Sequence, residues 1–305
     1  MRLRRSRTLI LAYHRVASAE RDPHRLSVEP HRFEQQMEYL RQQIDVVPLD
    51  SVQARSSGFR VAITFDDGYA DNARVAKPIL EGLGLPATFF ISVGVVGSQR
   101  GFWWDRLTNL VLVASSGLTQ VDVDVGGRRY LIRLDSPVAR EQAHTTLHRR
   151  LRRLPPEFIE RILDELASSM GSEPGLIETT PVLAREELAS MTSDLVEVGA
   201  HTISHPLLSA QPFEDQKTEI NGGRRMLERL IQENVRLFSY PFGGRDAFNK
   251  QTLRLVEEGG YTFACTGVAG RVSSRTHPLA LPRHFVHNWE QAEFAGRLSD
   301  WFGTR

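Results

Sequence analysis

The chain contains 305 residues and has a formal net charge of +1. This length suits one large domain or a domain with an insertion, and the near-neutral charge argues against a nucleic-acid-binding surface over the whole chain. Hydrophobic residues make up 41% and charged residues 25%, proportions ordinary for a soluble globular protein. Cys265 is the only cysteine, so no intrachain disulfide can form and the chain suits a reducing compartment.

The N-terminal segment is basic over residues 1–7 and apolar over residues 8–12, an order that resembles the start of a signal peptide. The apolar run is too short for the hydrophobic region of such a peptide, and His14 and Arg15 interrupt it. No later stretch approaches the roughly 18 consecutive apolar residues of a membrane span. We therefore expect an uncleaved, soluble, cytoplasmic protein without a transmembrane segment.

Strands and helices alternate in the first third of the chain. Helix Pro30–Gln43 places Phe33, Met37 and Leu40 on one face. This alternation predicts parallel strands joined by crossover helices. The predicted strands are 9–14, 46–49, 61–65 and 86–92, and the second predicted helix is 71–83.

The apolar strand 61–65 leads directly into Asp66, Asp67 and Gly68. Two adjacent carboxylates repel each other and cost desolvation free energy, so the pair persists more easily if a cation neutralises one of them. Gly68 allows a sharp backbone turn. An ordinary Asp-Asp-Gly turn is the alternative interpretation.

Residues 97–180 interrupt the alternation and predict an α+β insertion. A helix over 102–113 is followed by a hairpin whose strands, 121–125 and 130–132, flank a Gly-Gly turn. Helices are predicted at 140–154 and 156–170. We interpret His144, His148 and the arginines that follow them as a solvated helix face.

The alternation resumes after the insertion and continues to the C-terminus. About seven parallel strands with helices between them predict an α/β fold, an irregular (β/α) barrel whose active site lies at the carboxyl ends of its strands. The predicted strands are 197–200, 237–240, Phe263–Cys265 and 281–287, and the predicted helices are 186–192, 213–234, 249–259 and 289–302.

Two histidines, His201 and His205, follow strand 197–200 at a spacing of four residues. Neutral imidazole is the commonest nitrogen ligand of zinc and similar metals. Two histidines and one aspartate form a three-ligand set that leaves one position open, which is the catalytic arrangement. Two surface histidines are the alternative interpretation.

The segments Thr64-Phe65-Asp66-Asp67-Gly68 and His201-Thr202-Ile203-Ser204-His205-Pro206 resemble the first two motifs of the polysaccharide deacetylases, the NodB-homology group of carbohydrate esterase family 4. The resemblance extends over residues 9–287, with one large interruption. It implies a single barrel domain over residues 1–305 that contains the insertion 97–180. It also implies a hydrolase that removes N-acetyl groups from an amino-sugar glycan or glycolipid precursor with a divalent metal, of which zinc is favoured.

The resemblance also assigns roles to individual residues. Asp67, His201 and His205 would bind the metal, and Asp66 would be the general base that takes a proton from the metal-bound water. The third motif corresponds to Ser239, Tyr240, Pro241, Phe242 and Gly243, where the Phe242 N–H would stabilise the oxyanion.

The chain departs from the family pattern at Ser239, where many members carry an arginine that orients the base. Arg245 or Arg283 could substitute for that arginine. The last family motif makes His287 the expected general acid, and strand alternation puts Arg283 and His287 on one face and His284 on the other. His14, at the end of the first strand, is either a site residue or a water-capped strand end.

The sequence leaves other functions open. The same site could remove a formyl group or an O-acetyl ester, or the chain could be a catalytically silent carbohydrate-binding relative.

The insertion is expected to form a lid or subunit contact near the cleft, with surface decoration as the alternative. Trp103 and Trp104 either stack on sugar rings or anchor the insertion to the core.

Overall fold

A curled half-barrel of seven parallel strands forms the centre of the computed structural model, which describes residues 7–54, 57–113, 117–173 and 179–304. The basic segment 1–6 and parts of the insertion, 114–116 and 174–178, lie outside the described residues. The strands are β1 Arg7–Tyr13, β2 Phe59–Phe65, β3 Ala87–Ile91, β4 Val196–Ala200, β5 Leu237–Ser239, β6 Phe263–Cys265 and β7 His284–Phe285. Their order in the sheet is β6-β5-β4-β3-β2-β1-β7, which confirms the predicted parallel α/β architecture.

Side chains of each strand alternate between two apolar cores. Leu9 and Leu11 of β1 pack beneath the helices. Ile10 lies on the opposite face, in a smaller core with Phe90 of β3. Gly199 of β4 leaves room for this core, because a Cβ there would lie 2.5 Å from the Phe90 ring. Both faces of the sheet are therefore covered, as in other parallel sheets.

The helices lie close to their predicted positions, and α1 has the predicted bounds. Pi-helical segments extend two of them: Asn72–Ala76 precedes α2, and Asn109–Val113 follows α3. A third, Thr218–Gly222, joins α7 to α8 and so confirms the long helix predicted there. The helices are α1 Pro30–Gln43, α2 Lys77–Leu83, α3 Trp103–Thr108, α4 Pro137–Leu151, α5 Pro156–Ser169, α6 Arg185–Ala189, α7 Phe213–Lys217, α8 Gly223–Ile231, α9 Lys250–Glu258 and α10 Gln291–Phe302.

Short elements complete the description. The strand Asp45–Val46 pairs with the start of β2, so the strand predicted at 46–49 ends early, where Pro48 precedes a 3₁₀ turn. Arg15–Val16 pairs with Ser27–Val28 beside the carboxyl end of β1. The 3₁₀ turns are Leu49–Ser51, Val93–Val95, Leu208–Ala210 and Pro278–Ala280.

The last strand is shorter than the predicted 281–287. The residues just before it pair with one edge of the half-barrel, and the strand itself pairs with the other edge. Leu281 pairs with Cys265 of β6, and three residues later His284 pairs with Leu11 of β1. Pro282, which lies between them, has no N–H to donate to a ladder. The chain therefore leaves one edge at Leu281 and joins the other at β7, which places Arg283 at the closure.

The insertion has its own apolar core, which it shares with the barrel. Its antiparallel hairpin, Gln120–Val125 and Arg128–Arg133, packs on α5 and confirms the predicted hairpin. Tyr69 and Val182 of the barrel belong to the same core as the buried side chains of α3, α4 and α5. This shared core attaches the insertion to the barrel beside the end of β2. None of the helices within the described residues is both long enough and apolar enough to span a bilayer.

The prediction of a solvated face at His144 and His148 is wrong. His144 is buried, and its ring nitrogen is hydrogen-bonded to the Thr108 hydroxyl at 3.0 Å. His148 is half-buried and stacks on Trp103. Both histidines lie on the face of α4 that packs on α3, so polar residue type concealed a packed face.

Asp105 in the first turn of α3 is expected to make stability depend on pH. Its Oδ2 is buried without a partner among the described residues, and burial raises the pKa of this carboxyl to about 7, although Arg15 opposes the shift. Stabilisation from the protonated form is complete below the unfolded pKa and is lost as the pH rises through about 7. The free energy of unfolding of Asp105→Asn, measured relative to wild type, should therefore increase as the pH rises from about 4 to about 7 and should stay constant above that range.

Thermal denaturation from pH 5 to pH 9 measures this difference. The exposed hairpin residue Asp122 provides the control, because Asp122→Asn removes a carboxyl that is already solvated. Parallel curves for Asp105→Asn and wild type over the whole range would contradict the prediction.

Candidate active site

The carboxyl end of β2 delivers two consecutive carboxylates to one cavity. The Asp66 N–H donates to the Tyr13 carbonyl and continues the pairing of β2 with β1. Asp67 and Gly68 then adopt φ values of 80° and 102°, which few non-glycine residues do. This turn ends the strand alternation, so Asp66 and Asp67 both line the cavity instead of pointing to opposite faces.

The structure brings together Asp67, His201 and His205, the three residues assigned as metal ligands. All three are buried, and their ligand atoms lie within 4.8 Å of one another. The Asp67 Oδ1 atom is 3.5 Å from His201 Nε2 and 3.4 Å from His205 Nε2, and no hydrogen bond satisfies it among the described residues. An orphaned carboxylate oxygen that faces two imidazole nitrogens fits a divalent cation such as zinc.

A hydrogen bond orients the His201 ring, and burial keeps His205 neutral. His201 Nδ1 donates to the Ser239 carbonyl at 2.7 Å, which leaves the lone pair of Nε2 directed to the site. Burial lowers the pKa of His205 to about 3, although Asp67 opposes the shift. Burial raises the pKa of Asp67, but the two histidines outweigh it and the net shift is downward. The set therefore offers an ionised Asp67 carboxylate, a neutral His205 imidazole and the Nε2 atom of His201.

The loop that carries the two histidines is strained and is fixed by a glutamate. Thr202 and His205 have φ values of 69° and 58°. The Glu219 carboxylate accepts hydrogen bonds from the N–H groups of Ile203 and Ser204, at 2.8 and 2.9 Å. Nothing in the sequence indicates this role of Glu219, because its position in a predicted helix gives no sign that its carboxylate reaches this loop.

Aromatic rings position His205. The Trp104 and Phe242 rings lie edge-to-face with it, at centroid distances of 4.7 and 4.8 Å. The Trp104 Nε1–H donates to the Tyr69 hydroxyl at 2.8 Å, which fixes the indole. Trp104 therefore anchors the insertion and packs against His205, a candidate metal ligand, and its side chain is almost fully buried.

Arg283 supplies the cation that Ser239 lacks. Its Nη1 and Nη2 donate to Asp66 Oδ1 and Oδ2 at 2.8 and 2.6 Å, a bidentate pair. Arg283 Nη2 also donates to the Ser239 hydroxyl at 2.9 Å. Arg245, the other candidate, is exposed and does not line the cavity.

This ion pair keeps Asp66 ionised. Burial raises the pKa of the Asp66 carboxyl, but the charge and the hydrogen bonds of Arg283 outweigh burial and hold the pKa well below its usual range. The Arg283 side chain is 1% exposed, so solvent screens the pair very little. The pair therefore fixes both the charge and the orientation of Asp66.

The cavity has a volume of about 260 Å³ and is lined by residues from the barrel and from the insertion. Arg283 and His287 line it, whereas His284 stacks on Trp301 and is not among the lining residues. The lining residues are His14, His24, Arg25, Leu26, Asp66, Asp67, Trp104, His148, His201, His205, Phe242, Arg283, Phe285, Val286 and His287.

The residues of the third motif divide between the cavity and the core. Phe242 lines the cavity with a φ of 61°, and its N–H donates no hydrogen bond within the described part of the chain. Tyr240 is buried elsewhere, and its hydroxyl donates to the Leu279 carbonyl at 2.9 Å. Pro241 is buried and is not among the residues that line the cavity.

The structure is thus a parallel half-barrel with a candidate Asp-His-His metal site at the carboxyl ends of its strands. The family described as Polysaccharide deacetylase matches residues 53–264, and the chain belongs to this family. YxkH of Bacillus subtilis (strain 168), which is assigned to the polysaccharide deacetylases, is 26% identical over 101 residues. That match covers 33% of this chain and 35% of YxkH.

Solved structures show the same fold over nearly the whole chain. The deacetylase PplD of Streptococcus pyogenes has a TM-score of 0.62 at 17% identity, with 96% of this chain and 99% of PplD covered. IcaB from Ammonifex degensii has a TM-score of 0.62 at 19% identity, with 99% of each chain covered. At these identities the likeness shows the fold alone.

Substitutions of Arg283 and of Ser239, the two residues that hydrogen-bond the Asp66 carboxylate, should lower the free energy of unfolding by different amounts. Arg283→Met leaves a buried carboxylate without its cation and should lower the free energy of unfolding by about 3–5 kcal/mol. Ser239→Ala removes a hydroxyl that donates to Asp66 Oδ2 at 3.3 Å and should cost less, about 1.5–3 kcal/mol. Urea denaturation of both variants at neutral pH measures the difference, and equal losses would show that Arg283 is not the principal partner of Asp66.

Proposed function

We propose that this chain is a metal-dependent hydrolase that removes N-acetyl groups from an amino-sugar glycan or glycolipid precursor. The observation that carries the proposal is the buried Asp67, His201 and His205 set beside an ionised Asp66 in one cavity. Membership of the polysaccharide deacetylase family supports the same reaction class. The donor set of one carboxylate and two imidazoles favours zinc among the divalent metals.

When bound, zinc would polarise the acyl carbonyl and lower the pKa of a water molecule in the site. Asp66 is the proposed general base, because it is ionised and Arg283 holds it in one orientation. The Phe242 N–H, which has no partner within the described residues, is the proposed donor to the oxyanion that develops as water adds to the carbonyl carbon. Cleavage of the C–N bond then requires a proton on the departing nitrogen.

His287 is the proposed general acid. It lines the cavity, and one ring nitrogen, Nδ1, lies 3.0 Å from the Arg25 carbonyl oxygen, which leaves Nε2 for proton transfer. His14 is the alternative donor, because it also lines the cavity and directly follows Tyr13, which pairs with Phe65 beside Asp66. Either imidazole could carry a proton to the amine.

Related reactions need the same groups and differ in the acyl group or the atom that carries it. A formyl amide and an O-acetyl ester are the alternative substrates, and a silent carbohydrate-binding role is the alternative outside catalysis. Zinc content of the purified protein, followed by acylate release from acetylated and formylated amino sugars and small chitin oligomers, separates these functions. Bound sugar without any acylate release, even with zinc present, would indicate the silent role.

Substitution of the twin acids should separate base from ligand. Asp66→Asn should keep the metal and lower kcat by about 10²–10⁴-fold, because only the proton acceptor is lost. Asp67→Asn should weaken zinc affinity by more than the roughly 10–100-fold typical of outer-shell changes. Zinc titration and acetate release measure both effects, with His201→Ala and His205→Ala as variants expected to lose the metal. The opposite pattern for the two acids would exchange their roles.

The pH–rate profiles of three histidine variants should identify the proton donor. His287→Ala should remove the alkaline limb and lower kcat by about 10²–10⁴-fold. His284→Ala is the matched control, because its ring stacks on Trp301 away from the cavity. If His14→Ala loses the limb and His287→Ala keeps it, the donor is His14.

A further inference from the structure

The insertion contributes a histidine to the wall of the active-site cavity. His148 on α4 lines the same cavity as Asp66 and Asp67. Its ring stacks on Trp103 at a centroid distance of 5.0 Å and an interplanar angle of 26°. The His24 ring centroid lies 4.3 Å from that of His148. The imidazole is therefore in contact with two other rings, which restricts its rotation.

Contacts to the third-motif loop fix this wall next to the metal-ligand set. The Phe242 ring lies edge-to-face with His148 at 6.4 Å and with His205 at 4.8 Å. One turn beyond His148, Arg152 donates to Asp246 Oδ2 at 2.8 Å and lies over the Phe242 ring. His148 is therefore one aromatic ring away from His205, where a sugar that carries the scissile amide would lie.

The polar atoms of His148 have no other task among the described residues. No hydrogen bond joins its ring nitrogens to another described residue, whereas the neighbouring His144 is bonded to Thr108. Burial, together with the nearby His24, lowers the pKa of His148 to about 2, so the imidazole is neutral. A neutral imidazole offers one donor and one acceptor, which suits a hydroxyl group and not an anion.

We propose that His148 is a sugar-binding residue that hydrogen-bonds a hydroxyl of the amino-sugar ring whose acyl group is removed. This inference rests on the proposed function and assigns the insertion a direct part in substrate recognition. Phe242, which also lines the cavity and is only partly buried, provides apolar surface of the kind that a sugar ring packs against. His148 acts in binding, so its loss should affect KM more than kcat.

Two substitutions separate hydrogen bonding from packing. His148→Phe keeps a ring against Trp103 but removes both nitrogens, whereas His148→Gln keeps donor and acceptor groups but removes the ring. His148→Phe should raise KM for acetate release from a chitin oligomer by about 3–10-fold, with kcat within about twofold of wild type. His148→Gln should remain closer to wild type. His31→Phe, at an exposed histidine of α1, is the control and should leave both parameters unchanged.

Binding of a glucosamine oligomer, the product, to the zinc-loaded protein provides a readout without turnover. Calorimetry should give a Kd that is about 3–10-fold higher for His148→Phe, with a full equivalent of zinc retained. An unchanged Kd and KM, or an equal loss in both His148 variants together with loss of zinc, would overturn the inference.

The combined results distinguish this inference from the proposed function. Wild-type turnover with an unaltered His148→Phe variant refutes the inference alone. His148-dependent oligomer binding without acylate release from any tested sugar supports the inference and refutes the hydrolytic function. Absence of both turnover and binding for acetylated, formylated and free amino sugars overturns both.

Discussion

The burial of two adjacent carboxylates at the end of one strand is the constraint on which the site depends. Burial of a carboxylate costs desolvation free energy unless a cation or hydrogen bonds compensate it, and two adjacent carboxylates each need such compensation. The structure compensates them separately. Arg283 forms a bidentate pair with Asp66, whereas Asp67 faces the Nε2 atoms of two imidazoles and keeps one oxygen unsatisfied among the described residues. Asp66 thus has its charge compensated within the protein, whereas Asp67 has a free oxygen that suits a metal ion.

Parallel strand register brings the compensating groups to these acids. Asp66 and Arg283 are 217 positions apart in the chain, yet the pairing of β1 with both β2 and β7 brings the residue before β7 close to the residue after β2. Ser239 enters from β5, and its hydroxyl accepts a hydrogen bond from the same guanidinium. A cation that precedes the last strand can therefore replace one expected in the third motif, because its guanidinium reaches the same cavity.

The insertion contributes Trp104 and His148 to the wall of the candidate active-site cavity. It shares an apolar core with Tyr69 and Val182 of the barrel, so its position is determined by packing. Trp104 supports His205, and His148 faces the cavity one aromatic ring away. A substitution that loosens this core should also displace the candidate metal ligand His205, because Trp104 belongs to the core and packs against His205.

The sequence by itself determined the strands, the helices and the motif residues, because hydrophobic periodicity and short motifs are local properties. The Asp-Asp-Gly strand end and the histidine pair marked the site, and strand alternation placed His287 and His284 on opposite sides. Only the tertiary structure decided that Arg283 is the partner of Asp66, that Glu219 holds the histidine loop and that His148 faces the cavity. Each of these contacts joins residues from different elements, and a charge or a histidine carries no local signal of the partner it meets across a fold.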